Sequence, residues 1–137
     1  MGAEYARAMV NAALIFAGLA GLLHVYIWTM ESLTWRKPAT WKRFGVATQE
    51  EAETQAMFAY NQGFYNLFLA VIAAIGIAGV LKGGDCWTVG WALIFASTGS
   101  MLAAAVVLRS CGKQYTRAAA TQGLFPLLTI VFAVLLG

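Results

Sequence analysis

The chain has 137 residues, of which 61% are hydrophobic and 11% are charged, and its mean hydropathy is +0.70. A soluble globular domain carries about 25% charged residues, so this composition excludes an ordinary water-soluble domain. The net charge of +3 is small and gives no reason to propose nucleic acid as a partner. We therefore expect the lipid bilayer to surround most of the chain.

Four stretches are apolar over the roughly 20 residues that a membrane-spanning helix needs. They cover residues 8–30, 57–81, 87–108 and 118–136. The first stretch is too long for the apolar region of a signal peptide, and Glu31 follows it instead of a small-residue cleavage site, so we interpret it as a retained helix. The sequence predicts an all-α membrane protein, with residues 1–137 forming one domain, a bundle of four membrane-spanning helices.

The first predicted helix carries His24, and Glu31 follows on the same helical face at the end of the span. An ionisable residue within a span is costly to bury and is a functional candidate by default. We therefore predict two catalytic residues, with His24 as the acid or base and Glu31 as the group that tunes it. Trp28 lies between them on this face and is a predicted ligand-binding residue.

The first loop, residues 31–56, interleaves basic and aromatic side chains, as segments at the lipid headgroup boundary do. Thr48 and Glu51 form a capping-box pattern, which predicts that the second long helix begins before its apolar stretch. We expect the three glutamates near this start, Glu50, Glu51 and Glu53, to be solvated above the lipid.

The second predicted helix carries polar side chains near its start, and the fourth helix adds one more: Asn61, Gln62, Tyr65, Asn66 and Gln122. The first helix descends toward the loops while the second and fourth rise from them. His24, Asn61, Gln62 and Gln122 therefore lie at a similar depth, roughly 7–10 Å inside the boundary. Tyr65 and Asn66 lie one turn further along the helix faces of Asn61 and Gln62. We predict that these side chains bind a ligand in one pocket. The alternative is that they only hold the bundle together by hydrogen bonds between helices, an interpretation we prefer for Gln122 taken alone.

Seven of the nine basic residues lie in the two loops at one end of the predicted bundle, residues 31–56 and 109–117. The positive-inside rule makes these loops cytoplasmic, so both termini are expected outside (N-out, C-out). Cys86 and Cys111 then lie on opposite sides of the bilayer and cannot pair within one chain. We attach no role to either cysteine.

The two halves of the chain resemble each other. Residues 14–17 and 93–96 share the sequence Leu-Ile-Phe-Ala, and a Gln-Gly pair occurs at 62–63 and again at 122–123. Two tandem hairpins of the same orientation would form a parallel repeat of a kind known in transporters. The alternative is chance similarity among Leu, Ala and Phe, which the two Gln-Gly pairs resist.

Several motifs resemble those of one bacterial family. They are Leu23-His24 with Glu31, Trp35, Phe44-Gly45, the run of residues 61–70 that begins Asn-Gln-Gly-Phe-Tyr, and Gln122-Gly123. Together they cover nearly the whole chain and are similar to the small four-helix membrane proteins grouped as domain of unknown function 1304. The resemblance implies a four-span protein of the bacterial inner (cytoplasmic) membrane, and it implies no activity.

Three functions stay open at this point. The leading hypothesis is a membrane-embedded pocket that binds, and by acid–base chemistry transforms, a small lipophilic molecule such as an isoprenoid, a sterol-like compound or a quinone. A transporter or channel would suit the repeat and the intramembrane histidine, and with so few spans it would require a homodimer. An accessory subunit of a larger membrane complex is the third hypothesis. Whether the protein is an enzyme stays open, and the sequence contains no cofactor or metal-site motif.

A reporter that works only outside the cytoplasm is expected to be active when fused after Gly137, because the charge bias places the C-terminus outside. The same reporter within the loop 109–117 is expected to be inactive. A fusion at Gly137 that is active only in the cytoplasm would contradict the predicted orientation.

Overall fold

Residues 2–135 are described by the computed structural model. Its α-helices follow in the order α1 (Gly2–Trp28), α2 (Pro38–Trp41), α3 (Gln49–Lys82), α4 (Cys86–Ser110) and α5 (Thr116–Val134). A π-helical turn, Thr29–Leu33, extends α1, and 3-10 turns at Lys42–Phe44 and Lys113–Tyr115 precede α3 and α5. The helices α1, α3, α4 and α5 are long and apolar enough to cross a membrane, which confirms the prediction of a multi-span helical protein. The predicted end of the fourth span, residue 136, lies outside the described residues.

The four long helices form an up-and-down bundle in which neighbours along the chain are neighbours in space. α1 packs against α3 and α5, and α4 packs against the same two helices, so α1 and α4 lie diagonally across the bundle. The loops before α3 and before α5 meet at one end, where Gly45 lies beside the ring of Tyr115. The two basic loops therefore share one end of the bundle. Its orientation in the membrane and the parallel repeat stay predictions.

The start of α3 is capped by reciprocal hydrogen bonds. Thr48 Oγ1 accepts a bond from the backbone N–H of Glu51 over 3.2 Å, and Glu51 Oε2 accepts one from the N–H of Ala47 over 3.1 Å. These bonds satisfy N–H groups that a helix start leaves free. They let α3 begin about two turns before its apolar stretch, with Glu50, Glu51 and Glu53 exposed.

The loop between α1 and α3 folds back onto α3. Trp35 and Trp41 are buried with Val46 against Ala52 and Ala59. The Trp35 indole Nε1 donates a 2.8 Å hydrogen bond to the carbonyl oxygen of Ala52. Both rings are therefore packed against the first three turns of α3, while the basic side chains of the loop are exposed.

α3 and α4 approach each other closely at glycine residues. A Cβ added to Gly90 would lie 2.7 Å from the carbonyl oxygen of Gly76, and one added to Gly79 would lie 3.1 Å from that of Cys86. Helices in lipid associate through such close packing, because burying apolar surface gives no advantage over contact with lipid tails. Gly76, Gly79 and Gly90 therefore determine the spacing of this hairpin.

Replacement Gly90→Ala is expected to lower stability by about 1–3 kcal/mol, because the new methyl group meets backbone atoms that cannot rotate aside. Gly99→Ala on the same helix is the matched control, since a Cβ there meets nothing within 4 Å, and it should be neutral or stabilising by up to about 1 kcal/mol. Thermal unfolding of both purified variants in detergent measures the difference, and equal midpoints would contradict this account of the hairpin.

Candidate functional site

Glu31 lies in the π-helical turn that extends α1. A π turn carries extra residues relative to an α-helical turn and is frequent at functional sites. The backbone N–H of Thr34 closes it by donating a 3.0 Å bond to the carbonyl oxygen of Thr29. Because the turn departs from 3.6 residues per turn, Glu31 leaves the α-helical register of His24, and its carboxylate meets α3.

The Glu31 carboxylate has a specific partner on α3. Glu31 is only 9% exposed, and Asn66 Nδ2 donates a hydrogen bond to Glu31 Oε2 over 2.8 Å. The same amide nitrogen donates to the carbonyl oxygen of Gln62 over 3.2 Å, which orients the NH₂ group toward the carboxylate. A buried carboxylate without such a donor would be strongly destabilising, so this bond is what allows Glu31 to lie here.

Gly63 lets α3 approach the π-helical turn. A Cβ at this position would collide with Ser32 Oγ and would lie 3.0 Å from the Cβ of Glu31. The Ser32 hydroxyl donates a 2.8 Å hydrogen bond to the carbonyl oxygen of Tyr60. Gly63 and Ser32 therefore hold the backbone of Glu31 at the distance over which Asn66 reaches it.

His24 is 0% exposed and lies inside the bundle. Its Nδ1 and the carbonyl oxygen of Ala20 are 2.8 Å apart, and because a carbonyl only accepts, Nδ1 carries the proton and donates. In the neutral ring Nε2 is then an acceptor, and it has no hydrogen-bond partner within residues 2–135. A buried polar atom left in this state costs about 1–3 kcal/mol, so Nε2 would be stabilised by a hydrogen-bond donor that is not part of the chain.

Trp28 presents the complementary group one helical turn further along α1. Its indole Nε1, which only donates, is also buried and has no partner in the described part of the chain. The ring stands edge-on to Phe64 of α3, with centroids 6.0 Å apart. The interior face of α1 thus offers an unpaired acceptor at His24 and an unpaired donor at Trp28.

A shallow apolar groove of about 230 Å³ runs along the outer surface between α1 and α3. Its lining includes Gly18, Val25, Ala70 and Ala74. A Cβ at Gly18 would meet nothing within 4 Å, so the groove is open there. Toward the loops the lining ends at Val25 and Ala70, and Asn66 is one turn further along α3, about 6 Å away.

The two predicted catalytic residues are not bonded to each other. His24 and Glu31 lie about 10 Å apart along the helix axis, and the hydrogen bonds recorded for them go to Ala20 and to Asn66. Proton transfer between His24 and Glu31 therefore needs an intervening group. Their catalytic roles stay predictions.

The remaining predicted ligand-binding residues do not gather around His24. Asn61, Gln62 and Tyr65 are exposed on α3, with Tyr65 58% exposed. Gln122 is half-buried on α5. Of the polar residues predicted on α3, Asn66 is therefore the one that the structure joins to an ionisable group of α1, and the binding roles of the others stay predictions.

Gly63, Ser32 and the groove have no role among the predictions made from the sequence. The repeated Gln-Gly pair was a signal for Gly63, since a glycine beside polar residues suits close approach of another backbone. No pattern indicates Ser32, because its bond depends on which carbonyl of α3 lies opposite it.

The site does not have the donors of a metal centre within residues 2–135, where no three His, Cys, Asp or Glu side chains come together. A family model described as "Protein of unknown function (DUF1304)" matches residues 18–134. No curated protein and no solved structure matches the chain. His24, Glu31 and Asn66 lie inside the matched region, and so does the lining of the groove apart from Ala17.

Replacement Asn66→Leu is expected to destabilise the protein by about 1–3 kcal/mol, because it leaves a buried carboxylate oxygen without its donor. Thermal unfolding in detergent measures the change. Asn61→Leu, five residues earlier and exposed, is the matched control and should leave the midpoint close to wild type. If both variants unfold like the wild type, the Glu31–Asn66 bond does not hold α1 to α3.

Proposed function

The chain belongs to the DUF1304 family of proteins of unknown function, as its motifs indicated, and we propose that it binds a small lipophilic molecule within the membrane. Isoprenoids, sterol-like compounds and quinones are the candidate classes. The groove between α1 and α3 carries the proposal, because it is apolar along its length and ends near the buried Glu31–Asn66 pair. Apolar walls with a few placed polar groups are typical of small-molecule sites.

The size of the groove favours a slender tail. Sites that enclose a drug-sized ligand have volumes of about 300–1,000 Å³, whereas this groove has about 230 Å³ and is open to the surface. It therefore holds one face of a chain while lipid covers the other. An isoprenoid chain, or the isoprenoid tail of a quinone, suits this shape better than the rigid rings of a sterol-like compound.

The polar atoms of α1 favour a hydroxyl as the head group. His24 Nε2 lacks a donor and Trp28 Nε1 lacks an acceptor. Neither side chain lines the groove, so in this proposal the head group passes inward between α1 and α3 to reach them. A hydroxyl group both donates and accepts, whereas a carbonyl satisfies only the indole. Among the candidate classes, an isoprenoid alcohol or the reduced, quinol form of a quinone therefore matches both atoms.

His24 is the group available for acid–base chemistry on this head. Its Nε2 lone pair can take up the hydroxyl proton while Nδ1 stays bonded to the Ala20 carbonyl, so the ring keeps its orientation during the transfer. For a quinol, whose phenolic hydroxyl is far more acidic than that of an alcohol, the O–H bond breaks, the electron pair stays on the ligand oxygen where the Trp28 indole N–H donates to it, and the imidazole becomes a cation. In this proposal the Glu31 carboxylate, at the end of the same helix, supplies the negative charge that favours that cation.

Replacement Gly18→Leu is expected to weaken binding of farnesol, an isoprenoid alcohol, by at least about tenfold, or about 1.4 kcal/mol, because the new side chain fills the groove. The measurement is retention of radiolabelled farnesol by purified protein in detergent micelles, with empty micelles as the baseline. Gly99→Leu on α4 is the matched control, since its Cβ also meets nothing within 4 Å and it does not line the groove. Unchanged binding by Gly18→Leu, or an equal loss in both variants, would contradict the groove as the site.

The head group is tested in the same assay with farnesyl methyl ether, which keeps the chain but cannot donate to His24. The ether should bind the wild type about 2–10 times more weakly, as expected for one hydrogen bond of about 0.5–1.5 kcal/mol. In His24→Leu the alcohol and the ether should bind alike. Equal binding of both compounds by the wild type would contradict the preference for a hydroxyl head group, but it would not contradict the groove as the binding site of the chain.

A further inference from the structure

A second cavity lies at the end of the bundle opposite the basic loops. It has a volume of about 660 Å³, is largely open to the surface, and lies between the first turns of α1, the start of α4 and the end of α5. Arg7 and Val10 line it from α1, and Ala133 lines it from α5. Arg7 and Glu31 are roughly 36 Å apart along the first helix, so this cavity is separate from the groove and from His24.

One wall of the cavity is a continuous aromatic surface on α4. Trp87, Trp91 and Phe95 follow at one-turn intervals, with ring centroids 5.9 Å apart for the first pair and 6.0 Å for the second. Trp91 is buried and packs in the same core cluster as Val10 and Ala133. The wall is therefore anchored in the core of the bundle and is preformed for an apolar chain.

The cavity combines this apolar wall with one positively charged side chain. Among the described residues that line it, Arg7 is the charged one, and no carboxylate is present. A guanidinium presents planar paired donors that match a carboxylate in bidentate geometry. Arg7 is exposed, so it can meet a ligand that enters from the surface: a cationic ligand would be repelled, whereas a carboxylate would add an ion pair to the apolar contacts of its chain.

We propose that this cavity binds a single-chain anionic amphiphile, a fatty-acid carboxylate. The carboxylate pairs with Arg7, and the hydrocarbon chain lies along Trp91 and Phe95. The wall is a single row of three rings on one face of α4, which suits one hydrocarbon chain lying along it better than the two acyl chains of a phospholipid. This site is independent of the farnesol site, so either can fail without the other.

Quenching of tryptophan fluorescence by 9,10-dibromostearate tests the proposal on the full chain in non-ionic detergent, at alkaline pH so that the probe is ionised. Bromine atoms in the chain should quench Trp87 and Trp91. Replacement Arg7→Gln should raise the concentration of dibromostearate for half-quenching by about 2–5-fold, as expected for one ion pair at an exposed arginine. Dibromostearyl alcohol has the same chain and no charge, so it should bind the wild type more weakly than the acid does, and the replacement should not change its binding.

Lys82→Gln is the matched control, because Lys82 is an exposed cation at the same end of the bundle that does not line the cavity. The tryptophan fluorescence of this variant should be quenched at the same dibromostearate concentration as that of the wild type. Equal losses in Arg7→Gln and Lys82→Gln would show attraction to surface charge and overturn the proposal. So would equal quenching by the acid and the alcohol, or tighter binding of brominated phosphatidylglycerol than of dibromostearate, which would make the occupant a membrane phospholipid.

Discussion

Close backbone contact at glycine residues is the constraint on which the rest of this bundle depends. Helices in lipid gain no advantage from burying apolar surface, so their spacing is determined by how densely they pack. Gly90 brings α4 against α3, and Gly63 brings α3 against the π-helical turn. α5 approaches α4 in the same way, since a Cβ at Gly123 would lie 3.0 Å from that of Ala105. Because α3 takes part in two of these contacts, it determines which groups of α1 find polar partners.

The polar side chains enclosed by this packing differ in whether they find a hydrogen-bond partner within the chain. Thr98 and Thr129 are buried on α4 and α5, but each hydroxyl donates to a carbonyl oxygen of its own helix, which uses the hydroxyl hydrogen within the chain. His24 and Trp28 differ, since each has a buried nitrogen with no partner in residues 2–135. Within the described residues, the buried side-chain nitrogens that lack a hydrogen-bond partner both belong to α1.

Most of the fold, together with the burial of His24 and Glu31, could be predicted from residue patterns. The bilayer leaves backbone N–H and C=O groups no partner except those within their own helix, so four apolar stretches of sufficient length had to become four helices. His24 and Glu31 were expected in the interior because an ionisable side chain in a span avoids lipid, and the structure buries both. The capping box at Thr48 predicted the early start of α3, since its bonds are local.

Contacts between helices could not be predicted in this way. Asn66 meets Glu31 while Asn61 and Gln62 are exposed, because the π-helical turn and Gly63 determine the rotation and depth of α1 against α3. The periodicity of one helix carries no information about the register of its neighbour. The cavity at Arg7 likewise forms from three helix ends that are far apart along the chain. The sequence by itself determined which segments cross the membrane and which side chains avoid lipid, since both depend on local chemistry. Only the tertiary structure decided which of those side chains meet, since that depends on backbone distances between helices.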